Sequence, residues 1–457
     1  MLDVSDRSVH EDREPRDEGG GPPRPVTPLK VFWTTNLIAK PGESVADPAS
    51  GRFGGWIANM LSALGEVPGL SLGAAVRTAA RDLAVRKFNG VTTFYVPFAR
   101  RGGLAMEPGA LAEALAQFAP GILHVEGAEM PHASQAIDAF DGPTLLSLQG
   151  VMGGYGPHAH GDLPVWPWAL GIHKPRRAAM AAALLAAKRL RFDKRAASEA
   201  HVMRRVTRVV GRTEWDRAYA STMSPQARYS HVGRILRPQF YGEWPRVRSF
   251  KRHQIFIGNA NDPRKGAHVA LDALALLVRE FSDVSLVIAG EPPATGWRAW
   301  RKGLGYPRFL ADKIAKLGLG SRVRYTGVLG ADAICTAMRR SHVFLLPSLI
   351  ENSPNTLGEA MMLGLPCVCA YAGGSPDMAA PDREALFYRA EDPVAMAHQI
   401  ARVFRSEMLA CSLGSAAACR AQLTHDPRTN RDKLLAVYEE LAPATATTRP
   451  SLQRDVP

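Results

Sequence analysis

The chain has 457 residues, 46% of them hydrophobic, and 56 Lys+Arg against 43 Asp+Glu give it a net charge of +13. At roughly 150 residues per domain this is material for two or three domains, which excludes a peptide, a disulfide knot and a wholly disordered chain. The longest apolar run, residues 178–187, is about half of the roughly 20 residues that a membrane-spanning helix needs, and the N-terminus opens on Asp3, Asp6 and Glu11 in place of a basic and then apolar signal. The five cysteines all lie beyond residue 334 and suit buried thiols in a reducing compartment, so the expectation is a cytoplasmic protein without disulfides.

Residues 1–28 are acidic and rich in Gly and Pro, with few large apolar side chains to offset ordering, and read as a flexible tail. From residue 29 onward, short β-branched and aromatic runs alternate with Ala/Leu-rich stretches of helical period. The pattern predicts strands over 29–35, 70–77, 91–98, 121–126, 144–149 and 206–213, with helices such as 55–64 and 109–118 between them. Residues 237–253, rich in Pro, aromatics and bases, interrupt the series and read as a linker. A second alternating series follows, with strands over 254–259, 284–290, 323–328, 343–347, 366–371 and 386–389. The expected fold is α/β: two doubly wound domains, 29–236 and 254–430, facing each other across a cleft, then a C-terminal helix and tail over 431–457 that can cross back to the first domain. The cleft between two such sheets is the default ligand site.

The most informative stretch is residues 343–374, VFLLPSLIENSPNTLGEAMMLGLPCVCAYAGG. A strand runs into a polar loop holding Glu351, Pro354 opens a helix, and Glu359 sits one turn or so inside it. Backbone N–H groups around Asn355, Thr356 and Leu357 lack intrahelical acceptors, and the helix dipole adds partial positive charge there, which suits a phosphate.

This stretch resembles the donor-binding domain of family 4 glycosyltransferases of the polysaccharide-assembly type, retaining enzymes with the two-domain GT-B fold. Asp262-Pro263-Arg264-Lys265-Gly266 resembles the family's second donor motif, Gly54-Gly55 its glycine loop, and Gly211-Arg212-Thr213-Glu214-Trp215-Asp216 a run of polysaccharide-assembly members. The resemblance makes 29–236 the acceptor side and 254–430 the donor side. It implies that Glu359 takes the ribose hydroxyls of a UDP- or GDP-linked sugar, Lys265 neutralises the diphosphate, and Glu351 holds the transferred sugar. Asn259 stands where the family usually has Arg, with Arg264 as the candidate substitute, and Gln149 stands where many members have His. Gln149 cannot be a general base, but the family's proposed same-face substitution lets the leaving phosphate take the acceptor proton. Glu126 and Glu129 are the protein candidates for touching an acceptor hydroxyl. No Asp-x-Asp occurs, so the expectation is a metal-independent enzyme with no cofactor beyond its donor.

Bland readings stand beside these. Cys367-x-Cys369 sits in an apolar strand pattern and reads as buried thiols, not a metal site. His158 and His160 read as exposed loop residues, and His124 as a strand residue near the cleft. Residues 171–212 hold twelve bases and two acids, which suits an anionic membrane surface near a glycan or lipid-linked acceptor, or a solvated helix face. The rival functions are a nucleotide-sugar hydrolase or epimerase of the same fold and, on charge alone, a nucleic-acid-binding protein. Against the latter, the basic segment lacks interleaved aromatics.

Overall fold

The computed structural model describes residues 28–47, 55–100, 103–163, 175–242, 249–292 and 306–442. The first domain is built on strands β1 (Leu29–Ile38), β2 (Leu70–Thr78), β3 (Ala84–Phe88), β4 (Val91–Pro97), β5 (Ile122–Glu126), β6 (Thr144–Ser147), β7 (Arg208–Gly211) and β8 (Arg228–His231). They lie in the order β3-β4-β2-β1-β5-β6-β7-β8, parallel except for β3 against β4. Its helices are α1 (Gly55–Gly65), α2 (Pro108–Phe118), α3 (Pro131–Asp138), α4 (Met152–Tyr155), α5 (Pro175–Met203) and α6 (Glu214–Met223). The central strands are apolar on both faces because helices cover both: Val31 and Trp33 pack with α1, Phe32 with Phe94 and Phe118 under α2.

The second domain carries β9 (Lys251–Ile257), β10 (Ser285–Ile288), β11 (Val323–Tyr325), β12 (Ser341–Leu346), β13 (Cys367–Tyr371) and β14 (Leu386–Arg389), all parallel, in the order β11-β10-β9-β12-β13-β14. Around it lie α7 (Ala267–Leu277), α8 (Tyr306–Lys316), α9 (Ala331–Arg339), α10 (Asn355–Met362), α11 (Ser375–Met378), α12 (Pro393–Arg405) and α13 (Glu407–Thr424). Phe256 and Phe344 are fully buried, each stabilising the fold by about 2–3 kcal/mol relative to exposure. The strand order reverses at β1/β5 in one sheet and β9/β12 in the other, and the crevice outside the strand C-termini at such a switch point is where open α/β sheets bind ligands.

The chain passes between the domains twice. After β8, Asn59 holds the carbonyls of Ile235 and Leu236 at 3.3 and 2.6 Å. After α13, the helix α14 (Pro427–Leu441) returns to the first domain, where Leu434, Val437 and Tyr438 join its core. Tyr241 ties the crossings together, accepting from Leu236 N and donating to His425 O, both at 2.8 Å.

Two details correct the sequence reading. The stretch read as linker contains the start of β9, because Lys251 and Arg252, at the exposed N-terminal end of this central strand, are charged and hide it, and it contains buried Phe240. Strands β3 and β8 were not expected: Ala84–Phe88 and Arg228–His231 are edge strands with mixed or exposed side chains and show no apolar run. Gly54 lies outside the described residues.

Candidate active site

Two loops of the second domain form one wall of the cleft. The loop after β9 turns at Gly266, whose φ of 67° and whose place 1.8 Å from the Pro347 carbonyl for any added Cβ admit only glycine. Leu349 N donates to Arg264 O at 2.8 Å, fastening this loop to the one after β12. The loop after β12 carries Glu351, which is buried, accepts from Ser348 Oγ at 2.8 Å and forms an ion pair with Lys265. Gly373, at φ 52°, presses on this loop: an added Cβ would lie 2.0 Å from the Glu351 carbonyl. Pro354 caps α10 without a side-chain acceptor, so the Asn355 and Thr356 N–H groups at the cavity lining lack a capping side chain, whereas Leu357 N already donates to Pro354 O at 3.0 Å.

A cavity of about 250 Å³ lies between these loops and the first domain. Lys265, Glu351, Asn259, Asn355 and Thr356 line it from the second domain, and Trp56, Gln149, Tyr155 and Arg234 from the first. The structure therefore gathers Lys265, Glu351, Gln149, Asn259, Asn355 and Thr356 around one cavity. Gln149 donates to Glu126 Oε1 at 3.2 Å and accepts from Asn36 at 3.3 Å, and Trp56 Nε1 donates to Glu126 Oε1 at 3.1 Å. Glu126 thus stands just behind Gln149, in the first domain. Gly55 opens α1, where an added Cβ would lie 3.3 Å from the Arg237 side chain. Leu357 is buried and does not line the cavity.

Glu359 and Arg264 sit differently from what the motifs suggest. Both oxygens of the buried Glu359 accept from Arg237 at 2.6 Å, so ribose hydroxyls would have to use the remaining lone pairs. Arg264 is held by Asp262 at 2.9 and 3.2 Å, lies over the rings of Tyr155 and Phe192, and does not line the cavity. Lys265 already has a carboxylate partner. The cation that faces the cavity with no acidic partner among the described residues is Arg234, a residue that no motif marked; only the density of arginine in the Arg234–Arg237 run hinted at it.

The bland readings hold for several residues. His124 is buried between Tyr438 and Ser147, and burial lowers its pKa to about 3, which keeps it neutral. Cys367 and Cys369 are buried in β13, and burial pushes the Cys369 thiol up. His158 contacts Asp162 at 2.7 Å; with Glu391 these form a cluster of possible ligand atoms within 4.8 Å, outside the cavity.

Glu129 is half-buried behind Asn36 with its Oε2 out of solvent, and desolvation, helped by Glu126, raises its pKa to about 7. An acid raised in the folded state costs stability once pH climbs from its ordinary 4.5 through the folded value. Wild type should therefore lose up to about 2–3 kcal/mol between pH 5 and pH 8 through this group, and Glu129→Gln should flatten that slope in denaturant titrations at the two pH values. Parallel slopes would place the charge in solvent.

Residues 251–406 match the family model described as glycosyl transferases group 1. D-inositol 3-phosphate glycosyltransferase of Streptomyces avermitilis is 28% identical over 172 residues, 37% of this chain and 35% of that protein. The chain thus spans about a third of the length of that curated relative. Sucrose-phosphate synthase from Thermosynechococcus elongatus superposes with a TM-score of 0.65 over 90% of this chain and 99% of that one, at 16% identity. Anabaena HepE in complex with UDP-glucose superposes with a TM-score of 0.60 over 90% of this chain and 100% of that one, at 15% identity. The chain has the GT-B fold, and residues 251–406 of its second domain match the model of the group 1 glycosyl transferases.

Proposed function

We propose that this protein is a glycosyltransferase that moves a sugar from a UDP- or GDP-linked donor to a glycan or lipid-linked acceptor, with retention of anomeric configuration, in the assembly of a capsule, exopolysaccharide or lipopolysaccharide. The observation that carries the reading is the Lys265–Glu351 pair beside the open N-terminus of α10, in a cavity at the switch points of both sheets. A departing nucleoside diphosphate gains negative charge, and a fixed ammonium with helix N–H groups stabilises that charge most in the transition state. These groups do the work a metal clamp does elsewhere. Glu351, held by Ser348, orients sugar hydroxyls, and Gln149 hydrogen-bonds the acceptor while the leaving phosphate oxygen accepts its proton. HepE, similar in fold, was solved with UDP-glucose, which supports a nucleotide-sugar donor.

Incubation of purified protein with a panel of UDP- and GDP-sugars, with and without a lipid-linked glycan extract, tests the reading through release of nucleoside diphosphate. Release that requires the extract supports transfer; equal release without it supports the hydrolase reading, and none at all counts against both.

The membrane side of the proposal rests on α5. Phe192 and Glu199 face inward, whereas Leu190 is 55% exposed and Arg191 and Lys194 are exposed beside it; no helix among the described residues is long and apolar enough to cross a membrane. Vesicles with anionic lipid should bind the protein at low salt and release it as salt rises, since each base near such a surface contributes about 1 kcal/mol. Replacing Arg189, Arg191, Lys194 and Arg195 by Gln should cut sedimentation with vesicles and spare donor affinity. Equal pelleting of variant and wild type would move the basic surface's role elsewhere.

A further inference from the structure

A second cavity of about 240 Å³ adjoins the first, sharing Arg234, Ser353 and Asn355 with it. Its lining is strongly one-sided in charge. Arg212, Arg234, Arg420 and Lys433 face a single carboxylate, Asp377, and that carboxylate is already engaged, accepting from Glu214 N at 2.8 Å and Trp215 N at 3.3 Å at the start of α6. None of the four cations forms an ion pair among the described residues. Arg212 donates from Nε to Ser353 Oγ at 2.6 Å and from its other end to the Leu148 carbonyl. Arg234 donates to Asn355 Oδ1 at 3.2 Å and lies 4.6 Å over Trp56, and its buried Nε has no partner. Burial first, and then the neighbouring Arg212, lower the pKa of the Arg234 guanidinium to about 9. Glu126 and Glu129 oppose that shift only in part, so two neighbouring arginines with no carboxylate in ion-pair contact form an arrangement that a bound anion would stabilise further.

We infer that this second cavity binds an anionic group of the phosphate class, separate from the diphosphate of the donor. The cations come from the end of β7, from the crossing after β8, from α13 and from α14, so both domains build the site and an anion bound there would hold them together. A concave, low-dielectric wall focuses their field, and guanidinium forks match the spacing of phosphate oxygens. Either source, a phosphate on the acceptor or a free phosphate acting as effector, offers the same chemistry to these cations.

The test uses the full chain with inorganic phosphate as probe, sodium chloride at matched ionic strength as the reference, and the double variant Arg420→Gln/Lys433→Gln. Both replaced residues are exposed, so the variant should melt with wild type when no ligand is present. With UDP held at saturation, phosphate should raise the melting temperature of wild type further, and the double variant should bind phosphate at least about tenfold more weakly, each lost charge-assisted contact being worth 1.5 kcal/mol or so, with UDP affinity unchanged. Phosphate that gives no shift beyond chloride, binds the variant equally, or is displaced by UDP overturns the inference. Phosphatidylcholine vesicles carrying phosphatidic acid, compared with free phosphate, separate a lipid-borne source from a soluble one. Failure of both UDP and GDP to stabilise wild type would count against the donor reading alone, and the phosphate arm is then read without a nucleotide; where only GDP stabilises, GDP takes the place of UDP.

Discussion

Lys265→Ala should lower turnover by about 100- to 1,000-fold, the range seen when one preorganised donor to a developing negative charge is removed. Lys265 lines the cavity at the N-terminus of α10, and its truncation also leaves the buried Glu351 with only Ser348 as a partner. Arg264→Ala should act differently. Arg264 is bound to Asp262 and rests on Tyr155 and Phe192 of the first domain, so its loss should loosen the domain contact and raise KM more than it lowers kcat. Steady-state kinetics of the two single variants and of Lys265→Ala/Glu351→Ala check this. The Lys265/Glu351 double variant should be far from additive, because the residues share one ion pair. Equal kcat losses at 264 and 265 would instead mark Arg264 as the substitute for the arginine missing at Asn259.

Arg237→Met should be the most destabilising single change, by about 3–5 kcal/mol at pH 7, the usual cost of stripping one partner from a buried ion pair. Glu359 is 3% exposed and Arg237 17% exposed at the side chain, with two hydrogen bonds between them. Burial already raises the Glu359 pKa above its ordinary value and Arg237 opposes that rise; without the guanidinium it climbs further. An acid raised in the folded state destabilises above its unfolded pKa, so the penalty in Arg237→Met should shrink as pH falls toward the ordinary glutamate range. Replacing Glu359 by Gln in the same chain should recover part of the loss. Denaturation midpoints at pH 5 and pH 7 measure both effects, and a pH-independent penalty would mean that lost packing, not an orphaned charge, is responsible.

The parts of this molecule legible in its sequence are the ones made by local chain geometry. Lys265-Gly266 and the run from Glu351 to Gly374 are each strand, loop and helix in immediate succession, so residue spacing alone puts their side chains at a strand's C-terminal end. The apolar runs of β9, β12 and β13 likewise identify strands buried on both faces. What stayed hidden depends on closure of one domain on the other. Arg237 meets Glu359 across 122 positions, and Arg212 meets Ser353 across 141; no periodicity encodes such a pairing. Trp56 and Arg234 line the cavity for the same reason, and the run from Gly211 to Asp216, noticed only as a resemblance, turns out to place Thr213 against Asn352 and to cap α6 with a Thr213–Asp216 box. Edge strands β3 and β8 escaped because their side chains are largely exposed, and hydrophobic pattern is the signal by which strands are found.

Titration calorimetry of the full chain with UDP and with GDP most directly tests the claim that the cavity between the two sheets holds a nucleoside diphosphate. The account predicts that one of the two binds wild type at one site per chain and binds Lys265→Ala at least about tenfold more weakly, as removal of a charge-assisted contact requires. Absence of binding by both nucleotides, or binding that Lys265→Ala leaves unchanged, would contradict it.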